Sequence, residues 1–206
     1  MRLALLCAIW IAGCDGGDGS VVDSGVGDAD ESGDAVDAFV YKPCPIGELT
    51  TPAELQIVNF DAAKAIERTQ PSQEIALHPA PQGGWMAVIG ARARNLDGCS
   101  VKLTAAIVDA VDGQIIGVDR RDTRLVVDTD GWGQSSPDTF TNLQVCPQLT
   151  STRDMHGQPY IFKVIVEDAD GRKATAEVTA VPRCPPGVNF CTCECDRDYV
   201  LGSTCS

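Results

Sequence analysis

From Pro43 onward, apolar positions recur in short runs separated by turn residues, with the two-residue period of half-buried strands rather than a helical period. Leu55 to Phe60 is a predicted first strand. Asp61 to Thr69 (DAAKAIERT) has the composition of a helix, but it ends before Pro71 and allows no more than a short helix or a wrapped edge segment. Gln73 to His78 alternates, with Ile75 and Leu77 on one face. Trp85 to Ala93 and Val101 to Asp109 flank Asn95 to Cys99, where Asp97-Gly98 is a turn signal, and are expected as consecutive paired strands. Gln114 to Asp119, Arg124 to Asp128 and Phe140 to Val145 follow. Tyr160 to Glu167 and Lys173 to Val181, joined by Asp168-Ala-Asp170-Gly171, read as the closing hairpin. Its core face carries Tyr160, Phe162, Val164 and Val166, and Lys163 and Glu177 point outward.

About eight or nine strands at this turn spacing predict an all-β sandwich over residues 43–183. Asp154-Met-His-Gly157-Gln-Pro-Tyr160-Ile-Phe162 resembles the D-x-G-x-Y-x-C corner of immunoglobulin-like domains, stretched by one residue after each of its first two fixed positions. The resemblance implies an immunoglobulin-like or fibronectin-like β-sandwich in which the Tyr160 hydroxyl pins the corner before the penultimate strand. Phe162 stands where the core cysteine of an antibody domain would be, and the strand around Leu103 lacks the core tryptophan.

The chain opens with MRLALLCAIWIAGC. Arg2 supplies a positive start, Leu3 to Ala12 an apolar run far short of the roughly 18 to 20 residues that span a bilayer, and Ile11-Ala12-Gly13-Cys14 resembles a bacterial lipobox. What that resemblance implies is removal of residues 1–13, lipid modification of Cys14 and anchoring to membrane lipid in the cell envelope, on the outer membrane or the periplasmic side of a membrane. A plain secretory signal fits the Ile11-Ala12-Gly13 site less well.

Between Cys14 and Tyr41 there is no Lys or Arg, while Asp15, Asp18, Asp23, Asp28, Asp30, Glu31, Asp34 and Asp37 lie among many glycines. Residues 14–42 therefore read as a disordered acidic tether, too poor in apolar surface to offset chain entropy. Asp28 to Gly33 matches the start of a calcium loop, but its twelfth position is Phe39 instead of glutamate. The net charge of −13 argues against nucleic acid as a partner.

Setting aside Cys7 and Cys14 leaves Cys44, Cys99, Cys146, Cys184, Cys191, Cys193, Cys195 and Cys205, an even set that suits disulfides in an exported protein. Sequence alone does not choose the connectivity. The topology of the sandwich it resembles favours Cys44 with Cys99 and Cys146 with Cys184. Residues 184–206 read as a small cysteine-rich tail and a unit of its own. Cys193-Glu-Cys195 followed by Cys205 resembles the closing half of an epidermal-growth-factor-like module, with Asp198 where Gly or Pro is expected. The rival reading is a thiolate metal site on Cys191, Cys193 and Cys195, which an oxidising compartment disfavours.

His78 and His156 are the two histidines, and neither sits in a motif with a nucleophile, so no catalytic residue, metal or cofactor is assigned. Trp132, between Gly131 and Gly133, is the candidate ligand contact, whereas Trp85 begins an apolar strand and is expected in the core. Arg120, Arg121 and Arg124 are expected to pair with neighbouring Asp residues. The sequence points to a lipid-anchored envelope protein presenting a binding or adhesion module for a protein or polysaccharide ligand. A structural envelope lipoprotein is the alternative, and a hydrolase a remote one.

Overall fold

The computed structural model describes residues 41–205. The signal segment, the lipidation candidate Cys14 and the tether to residue 40, including its calcium-loop-like stretch, lie outside the described residues. The elements are β1 (Pro45–Ile46), β2 (Glu54–Phe60), β3 (Ile66–Arg68), β4 (Glu74–Pro79), β5 (Trp85–Arg94), β6 (Leu96–Asp97), β7 (Val101–Asp109), β8 (Ile115–Thr123), β9 (Leu125–Val127), β10 (Gly133–Ser135), β11 (Thr141–Cys146), β12 (Tyr160–Asp168), β13 (Lys173–Arg183) and α1 (Asn189–Glu194).

They build an all-β, immunoglobulin-like sandwich. One layer centres on β5, flanked by β2 and β4 along one edge and by β11 and β10 along the other. The second layer runs β13-β12-β7-β8. β4 belongs to both layers: Leu77 to Pro79 pair antiparallel with β5, and Glu74 to Ala76 pair parallel with β13. The two layers thus curl into one another along that side.

Period-two burial sets the register. Tyr160, Phe162, Val164 and Val166 are each 0% exposed, while Lys163 and Glu177 lie cross-strand on the outer face with a 2.6 Å ion pair. The Tyr160 hydroxyl donates to the Asp154 carbonyl at 3.1 Å, as the corner resemblance implies. Ile75 and Leu77 also point inward, each with almost no exposed surface.

One strand pairing is corrected. Trp85 to Ala93 and Val101 to Asp109 are consecutive but not paired, since they lie in opposite layers. Asn95 turns the chain at φ 65°, β6 pairs with β1, and Cys99 is bonded to Cys44, so the connection crosses the core instead of folding back as a hairpin. The strand β5 is buried without a break from Ala87 to Ala91. Its outer face is also covered, by a small cluster of Val58, Val88 and Phe140 with Phe60, Ile66 and Met86. Gly90 makes room for the Phe140 ring, into which any β-carbon there would run. Of the two forms open to Asp61 to Thr69, the edge segment is the one adopted: the Asp61 carboxylate takes the amides of Ala63 and Ala65, Lys64 turns at φ 63°, and β3 follows as an edge strand.

All eight cysteines of the described region are disulfide-bonded. Cys44 joins Cys99, as topology favours, but Cys146 joins Cys195 rather than Cys184, which closes instead on Cys191; Cys193 joins Cys205. The strand β13 carries Cys184 past the loop after β11, and α1 then returns to bring Cys195 to it. The tail is consequently part of the same compact unit as the sandwich rather than one of its own. Cys191 and Cys195 sit in the main core, Met155 N–H donates to the Cys195 carbonyl at 2.8 Å, and Arg197 N–H donates to Asp154 at 3.1 Å. Inside it the two buried disulfides touch, with Cys184 Sγ 3.7 Å from Cys195 Sγ.

Candidate functional site

Trp85 is buried in the sandwich at 7% exposure. Trp132 is not in the core. Its half-buried ring lies against the outer face of β5, 4.7 Å from the Arg94 guanidinium and 5.9 Å from that of Arg92. Arg92 is held by Asp128 at 2.9 Å and Asp130 at 2.7 Å, and Arg94 by Glu54 at 2.7 Å. The Asp130 carboxyl falls to about 2, drawn down first by its hydrogen bond with Asp128, then by Arg92 and the Trp132 amide. These contacts account for Trp132 as a clamp on the β9–β10 loop. No second aromatic ring accompanies it among the contacts of the described residues. Of the basic cluster, Arg121 pairs with Asp119 at 2.8 Å, and Arg120 donates to the Thr104 hydroxyl at 3.3 Å.

The sulfurs of Cys191, Cys193 and Cys195 are all taken up in disulfides, which removes the thiolate ligand set their spacing suggested.

A different site emerges where three cavities adjoin. The largest, about 670 Å³, is lined by Asp61, Lys64, Glu67 and Glu74 on one side, by Leu77, His78 and Pro79 of β4, and by His156, Arg183 and Pro185–Pro186 on the other. A second, about 200 Å³, shares Lys64, His78 and Pro79 with it and is floored by Phe60, Met86, Val88 and Phe140. A third, about 350 Å³, shares Met86 and Asn142 with the second and ends at Val118, Asp119 and Arg121. Together they form a furrow with an apolar floor and a polar rim. Both histidines, some eighty residues apart in sequence, come to this one place.

Local chemistry fixes the rim. Glu67 Oε1 accepts from Asn59 Nδ2 at 3.1 Å and from Gln73 Nε2 at 2.6 Å, while Glu74 holds Arg183 at 2.7 Å. His156 Nδ1 accepts the Cys184 N–H at 3.1 Å, which a neutral imidazole alone can do and which leaves its proton on Nε2. Burial lowers the pKa of His156, with Arg183 adding to it and Glu74 and Asp154 opposing. Burial likewise lowers that of His78, helped by Lys64 and opposed by the Phe60 carbonyl and Asp61.

No Ser, Thr or free thiol lines the largest cavity among the described residues. Sequence reasoning named His78 and His156 but could not bring them together. It missed Asp61, Lys64 and Arg183 entirely, because the first two reach the furrow from the turn between β2 and β3, and Arg183 through the pairing of β13 with β4.

The depressed histidines make a testable link to stability. A histidine that is harder to protonate folded than unfolded favours the fold fully above its ordinary value near 6.5, and that contribution is lost as pH falls through the folded value. The urea midpoint should therefore decline from about pH 7.5 to about pH 5.5, and replacing both histidines with Gln should flatten the decline. A midpoint that rises on acidification in this window would contradict the assignment.

A scan against protein-family models finds no match to the chain, and a search of curated proteins finds none either.

Proposed function

We propose that this protein is a lipid-anchored binding module of the cell envelope, acylated on Cys14, spaced from the membrane by its acidic segment, and holding its ligand in the furrow beside β4. The observation that carries the binding half is the furrow itself: adjoining cavities with an apolar floor and a rim of already oriented polar groups are what extended ligands use. The anchoring half rests on the lipobox resemblance. No helix among the described residues is long and apolar enough to cross a membrane, and an acyl anchor needs none.

Each half has its own test. Cys14→Ser should abolish palmitate incorporation and shift the protein out of the detergent phase; unchanged partitioning would remove the anchor. For the furrow, a soluble form beginning at Lys42 should retain envelope material on a column. Met86→Arg, which puts a long cation on the floor, should lose at least about tenfold of that retention at an unchanged melting temperature. Equal retention by the two forms would favour a structural envelope role over ligand binding.

A further inference from the structure

The polar groups of the furrow can be counted one by one, and the count restricts the ligand. Glu74 is neutralised by Arg183, and Asp119 by Arg121. Asp61 is held by two backbone amides and Glu67 by two side-chain amides, each through one oxygen, so the second oxygens remain as acceptors. On the donor side stand the Lys64 ammonium, which makes no ion pair among the described residues, and the His156 Nε2–H.

A polyanion would meet Asp61, Glu67, Glu74, Asp119 and Asp138 on a chain of net charge −13. A polycation would meet the unpaired Lys64 and would have to compete with Arg121 and Arg183 for their carboxylates. A hydroxyl donates to the free oxygens and accepts from Lys64 and His156 through one atom and without bringing charge. Below it, Phe60, whose ring stacks at 5.1 Å on the buried Phe140, offers apolar surface with Met86 and Pro79 for the C–H faces of a sugar ring. The floor is a sheet face made of side chains. The strand β4 at its centre is paired with β5 over one half and with β13 over the other, so no full-length edge of β4 is open for a peptide strand to extend.

On the reading of the furrow as the binding site, we propose that its ligand is a neutral polysaccharide strand lying across the three cavities, hydrogen-bonded at Lys64 and His156 and resting on Phe60, Met86 and Pro79. Lys64 is the informative position. It occupies a left-handed backbone conformation that glycine adopts without strain, so Lys64→Gly removes the ammonium while leaving the turn at least as stable.

The test is calorimetric titration of the intact protein in detergent with neutral hexasaccharides (cellohexaose, maltohexaose and chitohexaose), beside oligogalacturonate and oligoglucosamine as charged counterparts. Saturable binding of at least one neutral oligomer is expected, little changed between about 50 mM and about 500 mM salt. Lys64→Gly should weaken it about fivefold with no fall in melting temperature, Met86→Arg should weaken it further, and Lys163→Ala should leave it unchanged. Preference for a charged oligomer, or binding that collapses with salt, would overturn the proposal. If no neutral oligomer binds while the furrow still retains envelope material, the polysaccharide assignment fails and the furrow stands. Neutral binding that both furrow variants leave intact would place the sugar elsewhere and remove the furrow itself.

Discussion

Replacing Phe162 with Ala should cost about 3 to 5 kcal/mol of stability, whereas Lys163→Ala, one residue along the same strand, should change it by at most about 0.5 kcal/mol. The difference follows from the pleat. Phe162 is 0% exposed, sits across from Val178 on one side and Ile107 on the other, and its removal leaves a cavity between the layers. Lys163 faces solvent, and its pair with Glu177 is half exposed on both sides, where an ion pair contributes little. Urea titration of the two variants reads the contrast directly. Equal midpoints would mean that the register of β12 is wrong, since a one-residue slip exchanges the two faces.

Removing the Cys146–Cys195 bridge by a double Ala substitution should cost about 4 kcal/mol, from the loop entropy of a cross-link spanning 49 residues. Removing Cys193–Cys205, with a separation of 12, should cost less, about 3 kcal/mol on the same basis. The first variant should also expose α1 to limited proteolysis, because Cys195 is both a core residue and the bolt that holds the tail. A tail that stays resistant and a midpoint shift smaller than that of the Cys193–Cys205 variant would show that the tail is held by its other contacts instead.

The closing hairpin was legible in the sequence because both of its strands alternate and its turn is short, so periodicity and proximity agree. The corner at Asp154 to Tyr160 was legible for a different reason: its resemblance names a bond, and Tyr160 makes it with Asp154. The path from Trp85 to Asp109 was misread because a Gly-containing turn between two apolar runs looks the same whether the chain folds back or crosses between layers. What decides it is Cys44 and β1 approaching from outside that window. For DAAKAIERT the sequence left a short helix and an edge segment both open, and one well-placed aspartate decides for the edge segment. The furrow was beyond reach. Its residues come from six separated stretches, and none of His78, His156, Lys64 or Arg183 carries a local signature of the others.

The Cys44–Cys99 bond also governs how the domain bears a pull. Under a pull applied between the N-terminal end and any point beyond Cys99, tension runs along covalent bonds, and at Cys44 the shortest such path leads across the disulfide to Cys99 and on into β7. The intervening residues 45–98 form a closed loop that cannot be drawn out while the bridge is intact. They carry β2, β4 and β5 and the Asp61, Lys64 and His78 side of the furrow, so that wall would remain slack and correctly shaped under a force that strains the β7–β12 ladder.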